Sequence, residues 1–570
     1  MSSRAYGSAE EAERYKQLND RREDLCEIIE RDDAAAFSEF IHAWPDFINH
    51  RSTPFSTMNW DGRVWGTTWE VAMQCGSTGV LGVLLDRYDD IEDDAVSCSV
   101  LSACTPCKGW DGQWYPLPRY RYLLHRAIEE RQIGVLRFLL ARPQTDIHQR
   151  DIAGWTPLLW ACHQLCYNGP GGDDETPLDV LIDQHEEMID MLLAAGANPH
   201  DELRHNPKRN FDTHGDTEEN DEDADAVSQD DYVLDDTTLS LIVPRARAPL
   251  LRRLIEEEGV DVQAPVLASW KLRRGVVTLL HKASRHHNVE AVRYLLSRPE
   301  GPAMARVPDS AGGGLPLHWA AQGLGERHRY QTRRLDAAEL TYRAIETMRA
   351  LLQHTADLID ARGPGGKTAL ALAAGFRENL FAGFDATCYD PVVRFLLEKG
   401  ADARDAVDDE GNTPLHAALH ATLGARGNKV ATVSLLLSYG ARADAVNHMG
   451  DTPVHIAAGM HAYLGDCEDL QRTVDQNQQK IMQLLLRSLG GKGTEILDQP
   501  NKDGKTPWQI ERFTTSETPR LLKEGRAFAQ WLKNRKPPYD WSIPVREQFI
   551  RDTKRACGKR RRRVRNDNRK

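Results

Sequence analysis

Four histidines stand in the same local setting. His281, His318, His416 and His455 are each followed two residues later by alanine. A catalytic or metal-binding array would have to bring such residues into one cleft. A second cluster is Cys98, Cys104 and Cys107, with His125 as a fourth zinc ligand. Structural zinc sites usually offer two close ligand pairs; here only Cys104-x-x-Cys107 is close, so loop and core cysteines are the preferred reading. A third stretch, Arg362-Gly363-Pro364-Gly365-Gly366-Lys367-Thr368, has the look of a phosphate-binding loop. That loop needs glycine where Ala361 stands, and a buried strand before it. No Gly-x-Ser-x-Gly elbow, His-Glu-x-x-His pair or kinase-type set occurs. No catalytic residue, cofactor or metal ligand is therefore expected. An enzyme on this chain would need a site in its insertions or in the Cys98–Cys107 loop.

The elements that carry these residues repeat. Residues 411–458 contain a Gly-x-Thr-Pro-Leu-His start, a small-residue helix, a leucine-rich helix and a Gly-Ala ending, followed by the same start again. Thr413 can accept an orphan backbone N–H of a first helical turn, and Pro414 suits the first helical position. Val430, Val433, Leu436 and Leu437 make an apolar stripe on a second helix. Gly440 suits the left-handed residue that ends it. Neither helix is long enough to bury its apolar side alone, so each pair must stack on the next.

These units resemble the ankyrin repeat family, whose motif is T-P-L-H-x-A at a period of about 33 residues. The resemblance recurs at Thr156-Pro157-Leu158, Thr278-Leu279-Leu280-His281, Leu315-Pro316-Leu317-His318, Thr368-Ala369-Leu370, Thr452-Pro453-Val454-His455 and Thr506-Pro507-Trp508. The later half recurs at residues 191–198 and 395–402. It implies an all-α solenoid of stacked helix pairs, about nine to eleven units, with short β-hairpin turns and long inter-helix insertions. It implies too that the four histidines bond to backbone and stiffen the turns. The residue before the threonine is then a hairpin tip, a place where partners are contacted. Trp155, Lys367, Asn412, Asp451 and Lys505 stand there, and tryptophan is frequent in binding hot spots.

Positions 315, 368, 413, 452 and 506 are 53, 45, 39 and 54 residues apart, wider than the family period. The excess falls near residues 322–343, 375–390, 420–429 and 459–479. Closing longer loops adds only about 0.6 kcal/mol per doubling, so a ledge of loops is expected along one edge. Leu25, Ile28, Ile29, Phe37, Phe40 and Ile41 have the spacing of a first, atypical helix pair.

Hydrophobic residues make up 41% of the chain and charged residues 28%, ordinary for a soluble globular protein. No run of eighteen apolar residues exists, so no membrane span is expected. The N-terminal stretch lacks the apolar core of a secretory signal. Ten cysteines without one fit a reduced, intracellular compartment, cytoplasm or nucleus. The formal charge of −13 is uneven. Residues 212–236 carry −12, whereas residues 551–570 carry +9. The expected organisation is a disordered N-terminus (1–20), partly degenerate repeats (21–200), an acidic disordered insertion (201–236), further repeats and a cap (237–533), and a disordered basic tail (534–570). Lys559, Arg560, Arg561, Arg562, Arg563 and Arg565 resemble a nuclear-import signal.

The function expected is a non-catalytic scaffold or adaptor that binds other proteins through the concave face and hairpin tips. The alternative is a nuclear regulatory adaptor targeted by the basic tail. Nucleic acid is expected only through that tail, and a monomer is expected.

Overall fold

Short apolar helices that cannot bury themselves singly settle into two rows within each compact unit. The computed structural model describes residues 21–44, 68–89, 107–108, 114–115, 123–143, 145–151, 154–167, 176–205, 233–264, 266–270, 273–310, 312–322, 337–376, 390–405, 407–422, 429–459 and 468–514. The chain divides into two compact units, Met1–Leu279 and Leu280–Lys570.

In the first unit the helix pairs are α1 (Arg22–Glu30) with α2 (Ala34–Ala43), α3 (Thr68–Cys75) with α4 (Thr78–Asp89), α5 (Leu123–Glu129) with α6 (Ile133–Leu140), and α7 (Pro157–Tyr167) with α8 (Leu178–Ala194). The fifth pair is α9 (Thr238–Ile242) with α10 (Ala248–Arg252), which runs on as one π-helical turn, Arg253–Glu257. First helices pack on first helices from α1 through α3, α5 and α7 to α9. Second helices pack likewise from α2 through α4 and α6 to α8. The first pair is built as its spacing predicts: Leu25, Ile29, Phe37 and Ile41 are all buried.

The second unit has α11 (Leu279–Arg285) with α12 (Val289–Ser297), a short α13 (Gly301–Met304), α14 (Pro316–Gln322) with α15 (Ala337–Thr355), and α16 (Ala369–Ala374) with α17 (Asp390–Glu398). Then follow α18 (Pro414–Thr422) with α19 (Val430–Ser438), α20 (Pro453–Ala458) with α21 (Glu468–Leu489), and α22 (Gly493–Asp498) before α23 (Pro507–Thr514). The same two rows form: α14, α16, α18, α20 and α23 in one, α12, α15, α17, α19 and α21 in the other. Each row member offers its apolar side to two neighbours and to its own partner, so burial is shared along the row.

That sharing corrects the stripe expected on α19. Thr432, Val433, Leu435 and Leu436 are the buried residues, whereas Val430 and Leu437 are half-buried. The helix faces α18 and both second-row neighbours, so its apolar arc is broader than one stripe. Gly440 ends it at φ +92, and the Ala441 N–H closes onto the Leu436 carbonyl at 3.0 Å.

Two expectations about insertions are also corrected. Part of the excess at 322–343 and 459–479 is helix: α15 begins at Ala337 and α21 at Glu468, lengthening the second helices to 19 and 22 residues. Residues 323–336, 377–389, 423–428 and 460–467, where the ledge of loops was expected, lie outside the described residues. Furthermore, the ends of the acidic stretch are ordered. Strands β3 (Glu202–His205) and β4 (Val233–Thr237) pair antiparallel, with Glu202 opposite Thr237. Thr237 then caps α9, its hydroxyl accepting the Ser240 N–H at 3.2 Å. The acidic residues between these strands, 206–232, lie outside the described residues. A second ribbon, β5 (Val266–Trp270) with β6 (Arg273–Val277), pairs Val266 with Val277. A two-residue ribbon, β1 (Cys107–Lys108) with β2 (Trp114–Tyr115), precedes α5.

Candidate functional site

The turns that precede the first helices share one chemistry. At residues 447–451, the Asn447 N–H donates to the Asp451 carbonyl at 3.0 Å, and the Gly450 N–H to the Asn447 carbonyl at 3.0 Å. The Asn447 Oδ1 accepts the N–H groups of Met449 and Asp451 at 3.0 and 2.9 Å. Asp408 and Asn501 build the same turn over 408–412 and 501–505. Asp151 does so with Trp155. Asp309 closes a version one residue longer, onto Gly314. At 363–367 glycine replaces the Asp or Asn, because a Cβ on Gly363 would fall 2.7 Å from the His318 ring. The Gly363–Lys367 main-chain bond persists at 2.9 Å. A side-chain oxygen that satisfies two turn N–H groups favours Asp or Asn at this place.

The phosphate-loop look of residues 362–368 is explained by this turn. No strand precedes it, and the Thr368 hydroxyl caps α16 by accepting the Ala371 N–H at 3.2 Å.

Histidine ties one unit to the next. His416 Nδ1 accepts the Thr413 N–H at 3.1 Å, while Nε2 donates to the Asp451 carbonyl of the following turn at 3.2 Å. His455 repeats this with Thr452 and Gln499, at 3.1 and 3.0 Å. His318 bridges Leu315 and Ala361, at 3.0 and 2.8 Å. His281 reaches the Gly314 carbonyl at 3.0 Å, and His125 the Trp155 carbonyl at 2.9 Å. Thr413 caps as its type suggests: its Oγ accepts the His416 N–H at 3.5 Å and also lies 2.8 Å from His416 Nδ1, so one hydroxyl serves both the helix start and the histidine. Burial pushes the His281 and His416 imidazoles down to about 4 and lowers His318 and His455 as well.

These bonds commit His125 Nε2 to a carbonyl, so that nitrogen does not serve a zinc ion. Cys98 and Cys104 lie outside the described residues, and Cys107 begins β1. Among the described residues, no three His, Cys, Asp or Glu side chains come together to hold a metal ion.

The turns are also bonded to one another. The Asp409 N–H donates to the Gly365 carbonyl at 3.0 Å, the His448 N–H to Glu410 at 2.8 Å, and the Lys502 N–H to Met449 at 3.0 Å. Side chains add Arg362 to Asp409 at 2.8 Å, Asn447 Nδ2 to Asn412 Oδ1 at 2.9 Å, and Asn501 Nδ2 to Asp451 Oδ1 at 2.8 Å. Four successive turns of the second unit thus form one cross-bonded row.

The five residues expected at the tips all close this turn, but their side chains differ in fate. Lys505 is exposed, and Lys367 and Asp451 are half-buried. Trp155 is half-buried against its own unit, with ring centroids 5.6 Å from Trp160 and 4.8 Å from His163. Asn412 is 5% exposed, and its amide bonds Asp408, Glu410 and Asn447. It holds the turn together instead of presenting itself to a partner. What the row does expose was missed: Val407 (40%), Val446 (50%) and Met449 (54%). Asp409 and Glu410 are exposed on the second of the four turns, with Asp409 paired to Arg362 of the first, and Lys502 is exposed on the last. The available signal was an apolar residue inside or beside an otherwise polar turn. Lys559, Arg560, Arg561, Arg562, Arg563 and Arg565 lie outside the described residues.

Helix pairs in two rows, joined by turns that a TPLH-type histidine clamps to the next unit, define a helical repeat protein. A family model for ankyrin repeats, in three copies, matches residues 382–470, so the chain carries ankyrin repeats. Among solved structures, it is similar to the crystal structure of the ankyrin repeat domain of Bcl-3, described as a unique member of the IkappaB protein family. The identity is 24%, the match covers 50% of this chain and 98% of that one, and the TM-score is 0.33. No curated protein matches. No described helix is long and apolar enough to cross a membrane.

Proposed function

We propose that this chain is a non-catalytic scaffold that binds partner proteins along the turn row of its second unit. Ankyrin repeats are generally protein–protein interaction modules. The observation that carries the reading is the exposure of Val407, Val446 and Met449 on turns whose backbones are locked to each other. Apolar side chains on a preorganised backbone lose little freedom on binding, so more of their burial energy is kept as affinity. The flanking charges, acidic at 409–410 and basic at 502 and 505, would orient a partner more than hold it.

The test is affinity capture with the full chain, read by quantitative mass spectrometry. Val446→Asp with Met449→Asp is expected to remove partners that the native chain retains. Tyr342→Ser, at a residue 58% exposed on α15, is expected to keep them. An unchanged partner set in the double variant would take the turn row out of the proposal.

A further inference from the structure

Away from the turns, the second-helix row of the second unit holds a cavity of about 350 Å³ between α12 and α15. Arg293 from α12 and Arg349 from α15 flank it, and Gln353 and His354 complete its polar rim. Leu296 and Ala350 supply an apolar floor. The arrangement is organised by Glu346. This residue is 7% exposed, and its carboxylate accepts Arg293 Nη2 at 2.6 Å and Arg349 Nη1. Neither arginine is buried: their side chains are 57% and 50% exposed. A guanidinium carries five N–H donors, and each of these two gives one to Glu346. Arg349 is further held with its Cζ 5.6 Å over the Phe395 ring.

Two positive charges against one buried carboxylate leave a net positive rim, each guanidinium keeping donors that Glu346 does not take. The neighbouring Arg306 adds nothing to that sum, since it is paired with Asp357 at 2.7 Å. A planar carboxylate would only duplicate Glu346. A tetrahedral group with three acceptor oxygens can engage both forks at once, and such charge-assisted, bidentate bonds are the strong ones. We propose that this cavity is a site for a phosphate dianion, either free or presented on a phosphorylated side chain whose stem rests on Leu296 and Ala350. The site is independent of the turn row and would add a phosphate-dependent contact to whatever that row binds.

The experiment uses the full chain and two probes, inorganic phosphate and N-acetyl-O-phosphoserine N-methylamide, followed by ³¹P line broadening. Saturable broadening of at least one probe is expected. Removing one fork (Arg349→Lys keeps charge but not planarity) should weaken it, and Arg293→Ala with Arg349→Ala should weaken it about tenfold or more. Because that pair strands Glu346, the companion variant Arg293→Gln/Glu346→Gln/Arg349→Gln removes all three charges together and should lose binding while keeping the native circular dichroism. Broadening of the phosphoserine probe alone assigns the site to a presented group; equal broadening of both assigns it to the free dianion. No saturable broadening of either probe up to roughly 10 mM, or equal broadening in native chain and triple variant, overturns the proposal.

Discussion

At the scale of single residues, the recurring histidine is a structural connector whose protonation state is dictated by its bonds. His416 must accept at Nδ1 and donate at Nε2, which only the neutral Nε2–H tautomer can do. Removing it leaves a turn carbonyl and a first-turn N–H without that partner. His416→Ala is therefore expected to cost about 1–3 kcal/mol in urea unfolding. The same bonds set a pH dependence. The unfolded imidazole titrates near about 6.5, whereas burial holds folded His281 and His416 at about 4. Below about pH 6.5 the unfolded chain gains protons that the folded chain refuses, so stability present above that pH is lost progressively toward pH 4. The urea midpoint should fall between pH 7 and pH 5, and more steeply in the native chain than in His416→Gln. Equal slopes would show that this histidine is not the titrating group.

At the scale of elements, the turn row depends on close backbone approach. Gly450 has φ +79, and a Cβ there would lie 2.7 Å from the Lys502 amide nitrogen, which bonds the Met449 carbonyl. Gly450→Ala meets both a left-handed backbone, costing about 1–2 kcal/mol, and a contact with main chain that cannot swing aside. A loss of at least about 2 kcal/mol is expected, together with faster amide exchange at Lys502. Neutral behaviour in both measurements would mean that the turns are not coupled.

At the scale of the molecule, stability should be distributed along the rows within each unit. Leu436 on α19 is fully buried, and α19 packs on α17, α18 and α21. Leu436→Ala should cost about 2–5 kcal/mol. In a stack held by nearest neighbours, exchange protection should drop first in the adjoining pairs and least in α11 and α12. A uniform loss across the second unit would indicate one cooperative core instead.

The repeat units and their helix pairing were legible from residue type and spacing, because a Thr-Pro-Leu-His start is a local signal. That the histidine bonds backbone followed from the resemblance to ankyrin repeats, and that its Nε2 reaches the following turn is decided by the tertiary structure. Asn412 and Met449 mark the limit. Both sit in similar polar turns, yet one is sealed between neighbouring turns and the other is left open. That difference arises from which turn lies alongside, through bonds such as Asn447 to Asn412, and no spacing along the chain encodes it. The same holds for the two arginines gathered by Glu346. Local chemistry wrote the units; contact between units chose which side chains face outward.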